Sequence, residues 1–182
     1  MDNIEAEQMI KVYNLNDEAK LEMFEKVNDK WNLILQTNAF IGRNGATCCK
    51  KEGDGKTPKG TFELGIMFGT HNLLNLNREY IKINENLYWV DDVHSKYYNQ
   101  LVDITKVNKN WNSAEHLIDY PLQYEYAIEI KSNPNNIPGK GSAIFLHCSV
   151  DKLTAGCVAI DRKNMLKILK KSDKNALISI EE

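Results

Sequence analysis

Gly141-Ser142-Ala143-Ile144-Phe145-Leu146-His147-Cys148-Ser149-Val150-Asp151-Lys152-Leu153-Thr154-Ala155-Gly156-Cys157-Val158-Ala159-Ile160-Asp161 is the stretch around which this chain is organised. A small-residue turn opens it, the apolar run Ala143-Ile144-Phe145-Leu146 follows, His147 ends that run, and Cys157 comes after a polar loop. An apolar run this short, bounded by turn residues and rich in branched and aromatic side chains, predicts a buried strand over residues 142–147 rather than a helix. His147 then stands at a strand end, where the scaffold gives way to solvent.

A cysteine and a histidine so placed suit a nucleophile and its base. Only the thiolate is strongly nucleophilic, and a free thiol with a pKa of about 8.5 is mostly protonated at neutral pH unless a base or a positive field is near. An imidazole within hydrogen-bond reach takes the proton and can return it to a leaving amine. Gly156 before Cys157 lets the backbone turn tightly and aim N–H groups at an oxyanion, and Thr154 and Ala155 are small enough to leave the approach open. Taken alone, a buried Cys is more often an inert small hydrophobe and a lone His a satisfied polar residue, so the pair needs a second feature.

That feature is Gly53-Asp54-Gly55-Lys56-Thr57-Pro58-Lys59-Gly60-Thr61-Phe62, far upstream. With the Thr154-Ala155-Gly156-Cys157-Val158-Ala159-Ile160 segment and His147 before it, this resembles the YkuD-type L,D-transpeptidase catalytic domain. In that family a Lys/Arg-Thr-Pro-x-Gly-x-Phe segment precedes the active site and a His is followed by the Gly-Cys that carries the nucleophile. The resemblance runs from about Met9 to the C-terminus and rests on the order and separation of the two motifs. Many members have Ser-His-Gly-Cys followed two residues on by Arg or Asn, whereas this chain has Thr154-Ala155-Gly156-Cys157 and then Ala159, so anchoring by that Arg or Asn does not carry over. The loop between His147 and Cys157 is also shorter than is common there. These departures mark a distinct branch.

The resemblance implies a mechanism. Cys157 attacks the carbonyl of the L-centre of the diamino acid in a peptidoglycan stem, expels the terminal D-residue and forms a thioester. His147 serves as base and then acid, the carbonyl of Cys148 or a neighbouring group holds the other ring nitrogen, and N–H groups at Gly156 and Cys157 face the oxyanion. An amine of a second stem resolves the thioester to a 3→3 cross-link, with no metal and no cofactor. With water as acceptor the same site is an L,D-carboxypeptidase of wall maturation or muropeptide recycling; a wall-binding module without turnover is the third reading, against which stands the presence of both Cys157 and His147. Thr57, Pro58 and Gly60 read as a rigid loop entering a strand rather than as catalytic groups.

Composition narrows the classes further. A chain of 182 residues suffices for one domain, expected over 1–182 with its core from about residue 9. The hydrophobic fraction of 42% and charged fraction of 26% are ordinary for a globular protein, and a net charge of −2 makes no case for nucleic acid. No apolar run approaches a membrane span, and a monomer is favoured. Residues 1–8 lack the positive start and apolar centre of a signal peptide, so the chain either works in the cytoplasm or is a mature form whose export segment is gone; the resemblance favours the cell wall. The four cysteines at 48, 49, 148 and 157 form no Cys-x-x-Cys pair and read as no disulfide framework. A zinc site at His147, Cys148 and Cys157 is disfavoured because strand neighbours point to opposite faces.

The rest of the chain reads as mainly β with a few short helices, an α+β pattern that agrees with the β-sandwich-like domain the resemblance implies. Strands are predicted at 8–13, 19–27, 31–41, 61–66, 80–83, 87–90, 124–130 and 176–180, with a hairpin turn at 28–30 and a loop over 42–60. Residues 91–99, with His94, Tyr97, Tyr98 and Asn99, form a polar, aromatic loop. Ser113 is expected to cap a short helical turn carrying Glu115 and His116, and His116 is a secondary candidate for substrate binding, beside Thr154 and Ala155. Asp161 is expected to cap a structural helix with Met165, Leu166, Ile168 and Leu169 on one stripe.

Overall fold

The computed structural model describes residues 6–15 and 18–181; the reading of the N-terminal segment and the ends of the expected domain fall partly outside them. In chain order the strands are β1 (Gln8–Leu15), β2 (Glu18–Val27), β3 (Lys30–Phe40), β4 (Ala46–Thr47), β5 (Thr57–Pro58), β6 (Gly60–Gly69), β7 (Tyr80–Lys82), β8 (Leu87–Val90), β9 (Leu101–Asp103), β10 (Ala114–His116), β11 (Tyr126–Ile130), β12 (Phe145–Cys148), β13 (Val158–Ile160) and β14 (Leu177–Ile180). One α-helix, α1 (Arg162–Lys171), lies between the last two, and single 3₁₀ turns occupy Leu117–Asp119 and Gln123–Glu125.

The β2–β3 hairpin shows how local chemistry sets the frame. Asn28 and Asp29 carry φ of 50° and 60°, the two left-handed residues of a two-residue turn whose twist matches the strands it joins. Asn and Asp tolerate that conformation, so the ladder closes tightly with Val27 opposite Lys30. From this hairpin the sheet runs β11-β12-β13-β3-β2-β1-β14-β6-β7, and β6 pairs again with β11. The sheet therefore curls until its ends meet, and its halves face each other across a shared core. Ile10, Leu21 and Met23 from one half pack with Met67, Ile128, Leu146 and Ile160 from the other. Asp161 caps α1 by accepting the Asn164 N–H at 3.0 Å, and Met165, Ile168 and Leu169 of the helix enter the same core. Burying three such side chains stabilises the fold by about 1.5–3 kcal/mol each.

Because strand residues alternate faces, the core takes Leu146, Cys148, Val158 and Ile160, and the other face of the same strands is left with Phe145, His147 and Cys157. Phe68 and Ala127 extend that outer face. A small antiparallel sheet, β10-β8-β9, covers it through Leu87 and Trp89, while Tyr88 and Val90 face away into a separate cluster. Phe145 is the hub: its ring meets Phe68 at 5.0 Å, Trp89 at 4.8 Å and Tyr124 at 5.5 Å, all edge-on, the geometry aromatic quadrupoles favour.

Four local expectations are corrected. Residues 114–116 form strand β10 rather than a capped helical turn, because they pair with Tyr88, Trp89 and Val90. The strand expected at 142–147 begins only at Phe145, since Gly141 (φ 91°) and Ala143 (φ 51°) are left-handed, and it continues past His147 to Cys148. The strand expected at 124–130 starts at Tyr126, its first residues being taken by a 3₁₀ turn. The expected loop over 42–60 contains the paired strands β4 and β5, and the three-residue strands β9 and β13 lie outside every predicted strand.

Candidate active site

The two motifs separated by about a hundred residues in the chain meet in space. Thr57, fully buried, donates its hydroxyl to the carbonyl of Cys157 at 3.3 Å and accepts the Gly42 N–H at 2.8 Å. Gly42 makes this approach possible: a Cβ there would stand 2.5 Å from the Gly55 carbonyl oxygen and 2.8 Å from the Thr57 nitrogen. Thr154 closes the other side. Its hydroxyl donates to the same Cys157 carbonyl at 2.7 Å and accepts the Gly156 N–H at 3.1 Å, while its backbone is bonded to Ile41 and Arg43. Gly156, at φ 150°, lies where a Cβ would stand 3.0 Å from the Lys56 carbonyl oxygen. The Thr-Pro loop is thus the mould for the cysteine turn.

Cys157 lies beside Phe145, and Ala159 pairs with His147 across β12 and β13. Thiol and imidazole therefore share one face, diagonally placed on adjacent strands. A strand spacing near 4.8 Å and a rise of two residues put their Cα atoms about 8 Å apart. Both are nearly closed off, at 9% and 7% exposure. The sulfur accepts the Phe145 N–H and donates to the Ala143 carbonyl, each at 3.3 Å, and no hydrogen bond joins it to the imidazole. Nδ1 of His147 stands 2.9 Å from the Cys148 carbonyl. A carbonyl only accepts, so Nδ1 carries the proton and Nε2 keeps its lone pair.

The electrostatics keep both groups neutral. Burial holds His147 below its usual pKa, opposed by the Cys148 carbonyl, so the ring is an unprotonated base at neutral pH. Burial, reinforced by the nearby Glu115 charge, pushes the Cys157 thiol up to about 12, against the Phe145 N–H and Lys50, which favour the thiolate. Cys148 is pushed to about 11, chiefly by burial, with its thiol turned to the Tyr126 carbonyl. Its side chain is core; its backbone is what reaches the site.

The carbonyl that receives the thiol is itself held in place. Ala143 is left-handed, a conformation costly for a residue with a Cβ, and its N–H donates to Asn99 Oδ1 at 3.1 Å. Asn99 also accepts from the Trp89 indole at 3.2 Å and donates to Asn133 and Asn136. Next to Ala143, Ser142 donates to Glu52 at 2.8 Å, and Tyr98 donates to the same carboxylate. The loop at 91–99, read from sequence as polar and aromatic, is in effect a clamp on residues 142–143.

Alternation along β10 separates the ionisable neighbours 115 and 116. His116 stacks on Tyr88 at 4.3 Å, with its nitrogens at Asp119 and the Glu85 carbonyl, on the side of the small sheet away from the sulfur. Glu115 is turned inward, takes the Tyr124 hydroxyl, and is close enough to Cys157 to raise its pKa. Tyr124 in turn lays its ring edge-on to His147 at 5.7 Å. Burial raises the Glu115 carboxyl to about 7, the Tyr124 bond opposing and the charges of Asp91 and Glu52 adding. Sequence reasoning named Glu115 only as His116's neighbour on the expected turn and Asn99 only within a polar, aromatic loop, and gave Tyr124 no role; only a strand assignment at 114–116 singles out which of the pair 115/116 faces inward. Thr154 and Gly156 are engaged with each other, and Ala155 is exposed at the tip of the turn. Among the described residues no group of three or more His, Cys, Asp or Glu side chains is placed to hold a metal ion, and no helix is long and apolar enough to cross a membrane.

The L,D-transpeptidase catalytic domain family, YkuD, matches residues 12–180. The helical cell shape determining protein Pgp2 from Campylobacter jejuni superposes with a TM-score of 0.54 over 98% of this chain and 49% of its own, at 16% identity. Bd1075 of Bdellovibrio bacteriovorus does so with a TM-score of 0.52 over 96% and 48%, at 18% identity. The chain spans about half the length of these two structures, and at such identity the shared property is the fold. No curated protein matches the chain. Since the family match runs from β1 to β14 and takes in both the Thr57 loop and the Cys157 turn that it cradles, the chain belongs to the YkuD family of L,D-transpeptidase catalytic domains.

Proposed function

We propose that this chain is a cysteine-dependent L,D-transpeptidase acting on peptidoglycan stem peptides, with Cys157 as nucleophile and His147 as base. Rotation of the Cys157 side chain away from Ala143 brings the thiol toward Nε2 of His147, which takes the proton as sulfur attacks the carbonyl of the L-centre. The tetrahedral oxyanion meets N–H groups at the cysteine turn; the Gly156 N–H serves once it leaves Thr154. Collapse breaks the C–N bond, His147 returns the proton to the departing D-residue amine, and a thioester remains. The amine of a second stem then displaces the sulfur, forming an amide and restoring the thiol. Such work lies at the cell wall, and a contribution to cell shape, the property for which Pgp2 is named, is part of this reading.

The observation that carries the proposal is the 2.9 Å contact of His147 Nδ1 with the Cys148 carbonyl, from which the tautomer follows. A neutral ring whose Nδ1 proton is held by Cys148 presents Nε2 as a base on the face that bears Cys157. Incubation with a disaccharide tetrapeptide followed by mass analysis tests it: cross-linked dimers are expected. Tripeptide alone makes the chain an L,D-carboxypeptidase, and unchanged substrate leaves a wall-binding module. A carbapenem is expected to add covalently to the wild type and not to Cys157→Ala; equal labelling of both removes Cys157 as nucleophile.

A further inference from the structure

Beside the cysteine turn lies a cavity of about 770 Å3 whose charged lining is one-sided: Lys50, Lys51, Lys59 and Lys140 against the single carboxylate Glu52. That carboxylate is engaged by Tyr98 and Ser142. Lys50 is paired with Asp54 at 2.5 Å, whereas Lys51 and Lys140 have no ion pair among the described residues. The chain as a whole carries a net charge of −2, so this concentration of cations runs against its average. Phe62 and Pro138 supply apolar wall between the lysines. A cavity so built recognises a small apolar group that ends in an anion.

Its position says which anion. Lys50 links the cavity to the cysteine turn: it lines the cavity, its Nζ is 3.4 Å from where a Cβ would stand on Gly156, its stem 2.8 Å from the same point on Gly141, and its charge acts on the Cys157 thiol. In a stem peptide the C-terminal carboxylate lies one residue beyond the attacked carbonyl, about 3.5 Å of chain. We infer that this cavity is the subsite for the free C-terminal carboxylate of the acyl-donor stem, seated among Lys50, Lys51 and Lys140; the inference rests on the function proposed above. The residue expelled by Cys157 is thus chosen by its charge, and the lysines hold the scissile bond in register with the sulfur.

The test is calorimetric titration of the Cys157→Ala protein with a disaccharide tetrapeptide bearing either a free C-terminal carboxylate or a carboxamide. The carboxylate is expected to bind about tenfold tighter, the scale of a charge-assisted contact. That preference disappears in a Lys51→Ala/Lys140→Ala background and survives in Lys51→Arg/Lys140→Arg. Equal binding of the two ligands with the lysines intact, or a preference that persists without them, overturns the subsite. Turnover by the wild type is read separately: discrimination without turnover leaves the subsite standing and removes the enzymatic reading, and turnover without discrimination does the reverse.

Discussion

Replacing Glu115 by Gln should make the protein more stable above neutral pH and leave it unchanged in acid. In the folded chain the carboxyl is raised from 4.5 to about 7, first by burial, so between those values the native state holds a proton that the unfolded chain releases. The stability linked to Glu115 is therefore fully present below pH 4.5 and lost as pH climbs to about 7. At about 1.4 kcal/mol per pH unit, the loss amounts to about 3–4 kcal/mol at most, since Glu115 retains some access to water. Gln keeps the shape and an oxygen for the Tyr124 hydroxyl but cannot ionise, so its stability has no such slope. Urea unfolding of both proteins from pH 4 to 8.5 reads the difference directly. His147 contributes in the opposite sense, losing stability as pH falls below 6.5 because the unfolded ring protonates first, and that contribution cancels between the two proteins. The variant should also alkylate faster at Cys157, since the charge that raises its thiol is gone. A stability difference constant across the pH range would show that Glu115 is ionised in the fold, and the reasoning would fail.

Three further outcomes follow from the same geometry. Thiol titration of the native protein at pH 8 should give two rapid equivalents, the exposed Cys48 and Cys49, with Cys157 reacting far more slowly and Cys148 only on unfolding; a third rapid thiol contradicts the burial described. Gly42→Ala should lower carbapenem labelling far more than stability alone explains, because a Cβ 2.5 Å from the Gly55 carbonyl must push the Thr57 loop off the cysteine turn; unchanged labelling would separate that loop from the site. Asn99→Ala should cost about 1–3 kcal/mol by orphaning the Ala143 N–H and the Trp89 indole, and near-ultraviolet dichroism should register the freed Trp89; an unaltered spectrum would deny the clamp.

What the sequence made legible and what it hid divide along one physical line. The hairpin at 28–29, the Asp161 cap and the alternation that sends His147 and Cys148 to opposite faces are local, written in residue types a few positions apart. Cys157 beside Phe145, Thr57 on the Cys157 carbonyl and Glu115 turned inward depend on pairings across the sheet, two of them through strands of three residues too short to leave a period. The same non-local contacts decide the chemistry. Because the wrap of the sheet and its small lid exclude water, the thiol and the imidazole both rest uncharged, and the thiol donates to the Ala143 carbonyl rather than to the imidazole. In the proposed reaction a donor that fills the face beside Phe145 must therefore move that thiol before any proton can pass, so that entry of the substrate, rather than the resting pKa of the cysteine, is the step that would arm the site.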